Sequence, residues 1–404
     1  MKRILTNALL SLALGAGAIA APNARESQDE TIRKLLARLE SLEAEVRHLQ
    51  AGSAATPGDG KAVAMLAESE PGRADEAAAR GSYPELKLRG FGHVDYRWTD
   101  DTGDKNAFAL GQFDLFITSQ LAENVSVLSE NVIEADEEGH FGFEIERLVL
   151  QYTPSEYFNV AIGRYHTALG YYNTAYHHGT WLQTAVGRPE FLEFEDDGGM
   201  LPIHNVGVSV SGAIPSGKFG VRYVAEVGNG RDYTPGAEPV QGVSDKNDFK
   251  AVNLALFARP DWMPGFQAGV SVYFDRLSAG LLPTVNQTIV SAHAVYLSPA
   301  FEWLNEGVLL RDSSRLGTFE TRAFYTQVAR QFGKFRPYAR YQYTEASEDD
   351  PIVQISGIPG EHQTLSLGVR YNFTELAAFK LQWDRALGGD GGGNGLTLQV
   401  SFTY

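Results

Sequence analysis

Between Thr167 and Ile203 the sequence gathers His177-His178, Trp181, Arg188 and an acidic group of Glu190, Glu193, Glu195, Asp196 and Asp197. With His166 and His204 at its flanks, four imidazoles raise the question of a metal centre. Their spacing matches no zinc pattern and the chain has no cysteine, so polar lining or subunit contact is the better reading of these histidines. Glu195-Asp196-Asp197-Gly198 has the acid density for calcium, but it lacks both the alternating ligand loop and the distal glutamate of an EF-hand. No cofactor is expected. Catalysis finds little support either: there is no G-x-S-x-G elbow, no P-loop and no strand-linked G-x-G-x-x-G, and Gly391-Gly392-Gly393 reads as a loop. A second set of candidates is cationic: Lys87, Arg89, Arg97, Arg147, Arg222, Arg336, Arg340, Arg370 and Lys380. These either pair with Asp95, Asp114, Glu226 and Asp384 or form a basic wall opposite the acidic group.

The elements that carry the cations have a period of two. Leu365, Leu367, Val369, Tyr371 and Phe373 alternate with polar residues, as do Phe379, Leu381 and Trp383, then Leu396, Leu398, Val400, Phe402 and Tyr404. Alternation means strands, with successive side chains on opposite faces. Leu86, Leu88, Val94, Tyr96 and Trp98 repeat the pattern near the start of the region. Further strands are expected near 115–118, 124–133, 148–152, 158–166, 204–213, 217–228, 248–258, 265–275, 288–297, 301–310, 318–331 and 335–345, sixteen in all. Short gaps such as Pro154-Ser155-Glu156 and Ser298-Pro299-Ala300 alternate with longer polar ones such as 229–247, 276–287, 346–361 and 386–394. An even strand count, unequal loops and strands ending on aromatics predict an all-β transmembrane antiparallel barrel over 83–404.

Upstream, Lys2 and Arg3 precede the apolar stretch Ala8–Leu14, and Ala18 and Ala20 stand as a cleavage site, so 1–20 reads as a signal peptide. Residues 26–50 carry heptads, with Ile32, Leu39 and Val46 at a and Leu35, Leu42 and Leu49 at d. A short periplasmic coiled coil follows, in preference to a lone surface helix; Arg38-Leu39-Glu40-Ser41-Leu42-Glu43 resembles a trimer pattern, whereas leucine at d leans to dimers. Residues 51–82, rich in Ala, Gly, Pro and Glu without periodicity, read as a flexible linker. A net charge of -16 without a basic patch argues against nucleic acid.

Ile162-Gly163-Arg164-Tyr165-His166 ahead of Leu169-Gly170-Tyr171, Arg336-Pro337-Tyr338-Ala339-Arg340-Tyr341 and Leu367-Gly368-Val369-Arg370-Tyr371 accompany this architecture. Together they resemble the phosphate-selective porin O/P family and its coiled-coil-bearing relatives of the dicarboxylate-uptake type. The resemblance implies a homotrimeric channel in the bacterial outer membrane, in contact with lipid and lipopolysaccharide and passing small polar solutes. It does not carry over phosphate selectivity, because the dense row of lysines and arginines that guides phosphate is missing. A non-conducting structural or adhesive barrel, or a barrel enzyme, is the alternative. The segment 167–203 is expected to fold inward and narrow the pore. Glu190, Glu193, Glu195, Asp196 and Asp197 would then face Arg89, Arg97, Arg340 and Arg370 across the narrowest section, with Arg147 and Lys380 on the same lining. Ion preference is left open.

Overall fold

Sixteen antiparallel strands close into one barrel in a computed structural model of the chain, which describes residues 83–100, 106–135, 139–176, 179–195, 199–231, 243, 247–278, 283–356, 359–388 and 393–404. The signal peptide, coiled coil and linker expected over 1–82 lie outside the described residues, as do His177, His178, Asp196 and Asp197. The strands are β1 (Glu85–Thr99), β2 (Ala107–Ala122), β3 (Val125–Ala135), β4 (Phe141–Ser155), β5 (Phe158–His166), β6 (His204–Ala213), β7 (Val221–Gly228) and β8 (Ala251–Ala258). They continue with β9 (Phe266–Leu277), β10 (Val285–Leu297), β11 (Phe301–Ser314), β12 (Gly317–Arg330), β13 (Phe335–Ala346), β14 (Gly360–Asn372), β15 (Ala377–Ala386) and β16 (Asn394–Thr403). Each strand pairs with its sequence neighbours, and β1 pairs with β16 to close the ring.

The alternation read in the sequence separates two faces. Leu86, Leu88, Val94 and Trp98 on β1, Val270 and Phe274 on β9 and Leu309 on β11 are exposed on the outer face. In a bilayer that face meets hydrocarbon, where a closed barrel leaves no unpaired strand edge. Tyr157, Phe158, Phe219, Trp262, Phe301, Phe332, Phe335 and Phe373 stand exposed near the short turns at one rim, and Phe108, Phe141 and Phe249 near the other. Two aromatic belts at the two interfaces are what a spanning barrel requires. At the seam Gly90 and Tyr404 exchange backbone hydrogen bonds of 3.0 Å each. A Cβ on Gly90 would meet the Tyr404 ring at 2.1 Å, so the ring packs over the bare backbone there and would have to move to admit a side chain.

Boundaries differ from expectation where turns take residues that alternate. Gly217–Phe219 form a 3-10 turn ahead of β7, and Gly220 sits in the left-handed region at φ 56°. A Cβ there would strike the Arg259 carbonyl oxygen at 2.3 Å. Between β11 and β12 only 315–316 remain as a connection, so this outer loop is as tight as the turns on the opposite rim.

Inside, the barrel holds an apolar cluster. Leu169, Tyr171, Tyr172, Tyr176, Trp181, Leu182, Phe191, Leu192, Met200 and Leu201, all from the segment between β5 and β6, pack on Tyr273, Ile289, Leu304, Val308, Leu310, Ala323 and Tyr325 of β9–β12. At about 1.5–3 kcal/mol for each large side chain buried, this core holds the segment to that wall.

Candidate functional site

The segment 167–203, the third outer loop in chain order, has little regular structure: one turn of helix α1 (Tyr172–Ala175) and two 3-10 turns, Thr180–Leu182 and Glu190–Leu192. Irregular backbone away from water must find partners for its N–H and C=O groups. The inward-facing side chains of the wall supply them, and they sort by charge. Carboxylates receive loop N–H groups. Glu226 on β7 accepts from Ala168 N at 3.0 Å. Glu306 on β11 accepts from Tyr171 N at 2.5 Å, Tyr172 N at 2.9 Å and the Tyr325 hydroxyl at 2.8 Å. Glu302, four residues away on the same face, takes the Thr184 hydroxyl at 2.7 Å.

Cations take the loop carbonyls. Lys380 Nζ donates to Thr180 O at 2.8 Å and Ala185 O at 3.2 Å. Arg370 donates to Trp181 O at 2.6 Å and Gln183 O at 2.9 Å, with its guanidinium over the Trp181 ring at 5.5 Å. Arg340 sets both terminal nitrogens on Gly187 O at 3.1 Å. Between them the Gln382 amide grips Val186 at both N and O, at 2.9 and 3.2 Å. The loop therefore reaches from β7 across to β13–β15, and its carbonyl dipoles offset three buried cations in a setting where charge-assisted bonds are strongest.

The loop's return to β6 is tied by a second device. In the β3–β4 pairing the register steps from Glu130↔Arg147 to Asn131↔Ile145, which leaves Glu146 as an extra residue. Such a bulge re-aims a side chain. Glu146 and Arg147 consequently both avoid the outer face, which keeps Ile145 and Leu148. Arg147 pairs with Glu130 at 2.5 Å, while Glu146 lies 2.9 Å from His204 Nε2 and 3.4 Å from Arg164. The other ring nitrogen of His204 meets Glu195 at 3.0 Å, and Glu195 Oε1 accepts from the N–H groups of Ile203 and His204 at 2.7 and 2.8 Å. Burial pushes the Glu195 carboxyl up, but the His204 charge and these hydrogen bonds outweigh it and hold the group below the usual carboxylate range. Glu190 goes the other way: burial raises it, against the opposing pull of His362 at 3.2 Å.

These contacts redistribute the sequence candidates. The expected opposition of loop carboxylates to Arg340 and Arg370 is replaced by carbonyl capping, because both guanidiniums end on loop oxygens of the main chain. Arg97 pairs with its strand neighbour Asp95 at 3.3 Å, and Arg89 lies exposed near the start of β1. Among the described residues no three His, Asp or Glu side chains converge to hold a metal ion. Glu302 and Glu306 were missed. Their signal was present as acids alternating with Leu304, Val308 and Leu310 on one face of a strand.

Beside the loop lies a cavity of about 220 Å3, lined by Arg222, Arg259, Gln267, His293, Asn159 and Ser271 with Gly170, Tyr171 and Thr174 of the loop; among the described residues no Asp or Glu lines it.

No protein-family model and no curated protein matches the sequence. Solved structures do match. The anion-selective porin of Comamonas acidovorans aligns over 80% of this chain and 100% of its own, with TM-score 0.55 and 13% identity. The outer membrane channel DcaP of Acinetobacter baumannii aligns over 80% and 97%, with TM-score 0.54 and 12% identity. The trimer form of in-vitro folded OmpT, an outer membrane protein of Vibrio cholerae, aligns over 80% and 99%, with TM-score 0.53 and 10% identity. At such identities the likeness is one of fold: a closed sixteen-stranded antiparallel barrel of the kind that outer-membrane porins build.

Proposed function

We propose that the chain is a porin of the bacterial outer membrane: a passive channel for small hydrophilic solutes, narrowed by its third loop and working without an active site. The observation that carries this reading is the anchoring of 167–203 across the lumen by wall residues of both signs. A structural or adhesive barrel has no need to hold an irregular loop inside itself with buried charges. A loop that fixes the bore does, because its position sets which solutes pass. Affiliation with the phosphate-selective porin O/P family or its dicarboxylate-uptake relatives remains part of this proposal, and so do the signal peptide at 1–20, the periplasmic coiled coil at 26–50 and the linker at 51–82. Trimers fit the exposed apolar outer face and the trimeric neighbour.

Purified protein in a planar bilayer should open ion-conducting steps and give a defined reversal potential in a salt gradient. Absence of any conductance from folded, heat-modifiable protein would overturn the proposal in favour of a structural barrel.

A further inference from the structure

A charge on the outward face of a barrel is costly near the bilayer midplane and nearly free at the interface, so outward cations mark where that face meets polar headgroups. They are unevenly spread around this barrel. β2 and β3 hold no lysine or arginine, and Arg147 of β4 turns inward to Glu130, so the long-loop rim over these strands is Phe108, Phe141 and Phe143. β9 and β11 differ. Arg276 continues the outward row Val270, Val272, Phe274 of β9, and Arg311 continues the row Gly307, Leu309 of β11. Both arginines are exposed, and neither side chain has a partner among the described residues.

The register sets the two on either side of β10. Arg276 lies opposite Asn286, and Arg311 lies opposite Thr288, the next outward residue of the same strand. The guanidiniums thus rise from strands about 10 Å apart with an amide and a hydroxyl between them. Side chains as long as arginine's can close that gap on one tetrahedral anion, whose oxygens suit the paired N–H groups of a guanidinium. Toward the bilayer middle Phe274, Val290 and Leu309 form an exposed apolar shelf on the same three strands. β11 and β12 join through 315–316 alone, so their own loop does not overhang Arg311. The neighbouring charges are mostly cationic: Lys250 ahead of β8, Arg315 in the turn, and Arg322 of β12. Glu320 stands opposite Arg311 in register but pairs with Arg322 at 3.1 Å, and the next outward carboxylate is Glu345 on β13.

We propose that Arg276 and Arg311, with Asn286 and Thr288, hold a phosphate of a lipopolysaccharide molecule whose acyl chains lie on Phe274, Val290 and Leu309. Cations directly above an apolar shelf match a ligand that is anionic at its head and hydrocarbon below, and free phosphate would leave the shelf unused. That this rim meets the outer leaflet rests on the porin reading above; the affinity for a phosphorylated lipid does not.

The test is native mass spectrometry of the full chain in detergent with EDTA, titrated with diphosphoryl lipid A or with its dephosphorylated form. Wild type should retain the diphosphoryl lipid and bind the dephosphorylated form far more weakly. Arg276→Gln with Arg311→Gln should weaken diphosphoryl lipid A by about 30-fold, the effect of two cations beside an anionic membrane surface. Glu320→Gln should tighten it, since a carboxylate beside Arg311 is removed and Arg322 is freed. Arg330→Gln, exposed at the short-turn end of β12, should change nothing. Folding of each variant is checked by heat-modifiable mobility on gels. Equal retention by the double variant overturns the site, as does an equal loss in Arg330→Gln, which would mean that overall charge holds the lipid. Displacement of the lipid by an equal concentration of inorganic phosphate overturns the lipid assignment. Binding that needs added calcium overturns the direct arginine contact, because the phosphate would then be held through a cation on Glu320. Lipid binding in a protein that conducts no current would leave this site standing while the channel reading fell.

Discussion

Glu306 offers the sharpest test of how the third loop is held. Its carboxylate is buried and accepts from Tyr171 N, Tyr172 N and the Tyr325 hydroxyl. Glu306→Gln keeps the shape but turns one acceptor into a donor. If the amide oxygen retains Tyr172 N and Tyr325, its NH2 group confronts Tyr171 N, and one buried donor is orphaned at a cost of about 1–3 kcal/mol. The two bonds that remain lose their charge assistance, which roughly halves them and adds about 1 kcal/mol. A total of about 2–4 kcal/mol should raise the opening equilibrium of this part of the loop roughly 30- to 1,000-fold. Amide hydrogen exchange at Tyr171 and Tyr172 reads that equilibrium directly. In bilayers the same variant should flicker between conductance levels that wild type does not visit. Unchanged exchange at both amides would refute the reasoning, because it would mean that packing of the aromatic cluster alone fixes the loop.

Other expectations follow the same contacts. Arg222→Gln with Arg259→Gln removes two positive charges from a cavity lined by no carboxylate, so the reversal potential in a salt gradient should move toward cation preference. Glu195 has a lowered carboxyl, so its contribution is complete above the ordinary glutamate value of 4.5 and is lost as pH falls through its own lower value. Exchange protection of the Ile203 and His204 amides, both on Glu195, should accordingly persist through pH 4.5 and fail only in stronger acid. On the proposal of a trimer aligned by a coiled coil at 26–50, deleting Glu26 to Gln50 should weaken trimers in native mass spectrometry while the barrel stays heat-modifiable.

The barrel was legible because lipid on one side and polar groups on the other leave a clean period of two, as in Leu365–Phe373 and Leu396–Tyr404. The pattern blurs where the inner face is dry. On β10 and β11 Ile289, Val295, Leu304 and Val308 point inward beneath the loop among polar residues such as Ser291 and Glu306, so the inner face is mixed and alternation distinguishes inside from outside less cleanly. The loop itself was legible by its length and by its place in the chain. Its anchoring was not, because a cation that binds a main-chain carbonyl leaves no complementary residue in the sequence. Arg340, Arg370 and Lys380 invited a search for acidic partners, and their partners are the oxygens of Gly187, Trp181, Gln183, Thr180 and Ala185. Nor does any sequence pattern announce that the β4 bulge turns Glu146 toward His204.

The apolar inner wall of β9–β12 bears on attempts to widen the bore. Shortening 167–203 invites the expectation of a larger current, yet cutting the loop back would strip Tyr273, Ile289, Leu304, Val308 and Leu310 of their cover. A strip of that kind repels liquid water, and narrow passages with apolar walls close by emptying rather than by obstruction. The gain in diameter would be set against vapour-like gaps beside the strip, and the conductance of such a variant would depend on wetting as much as on width.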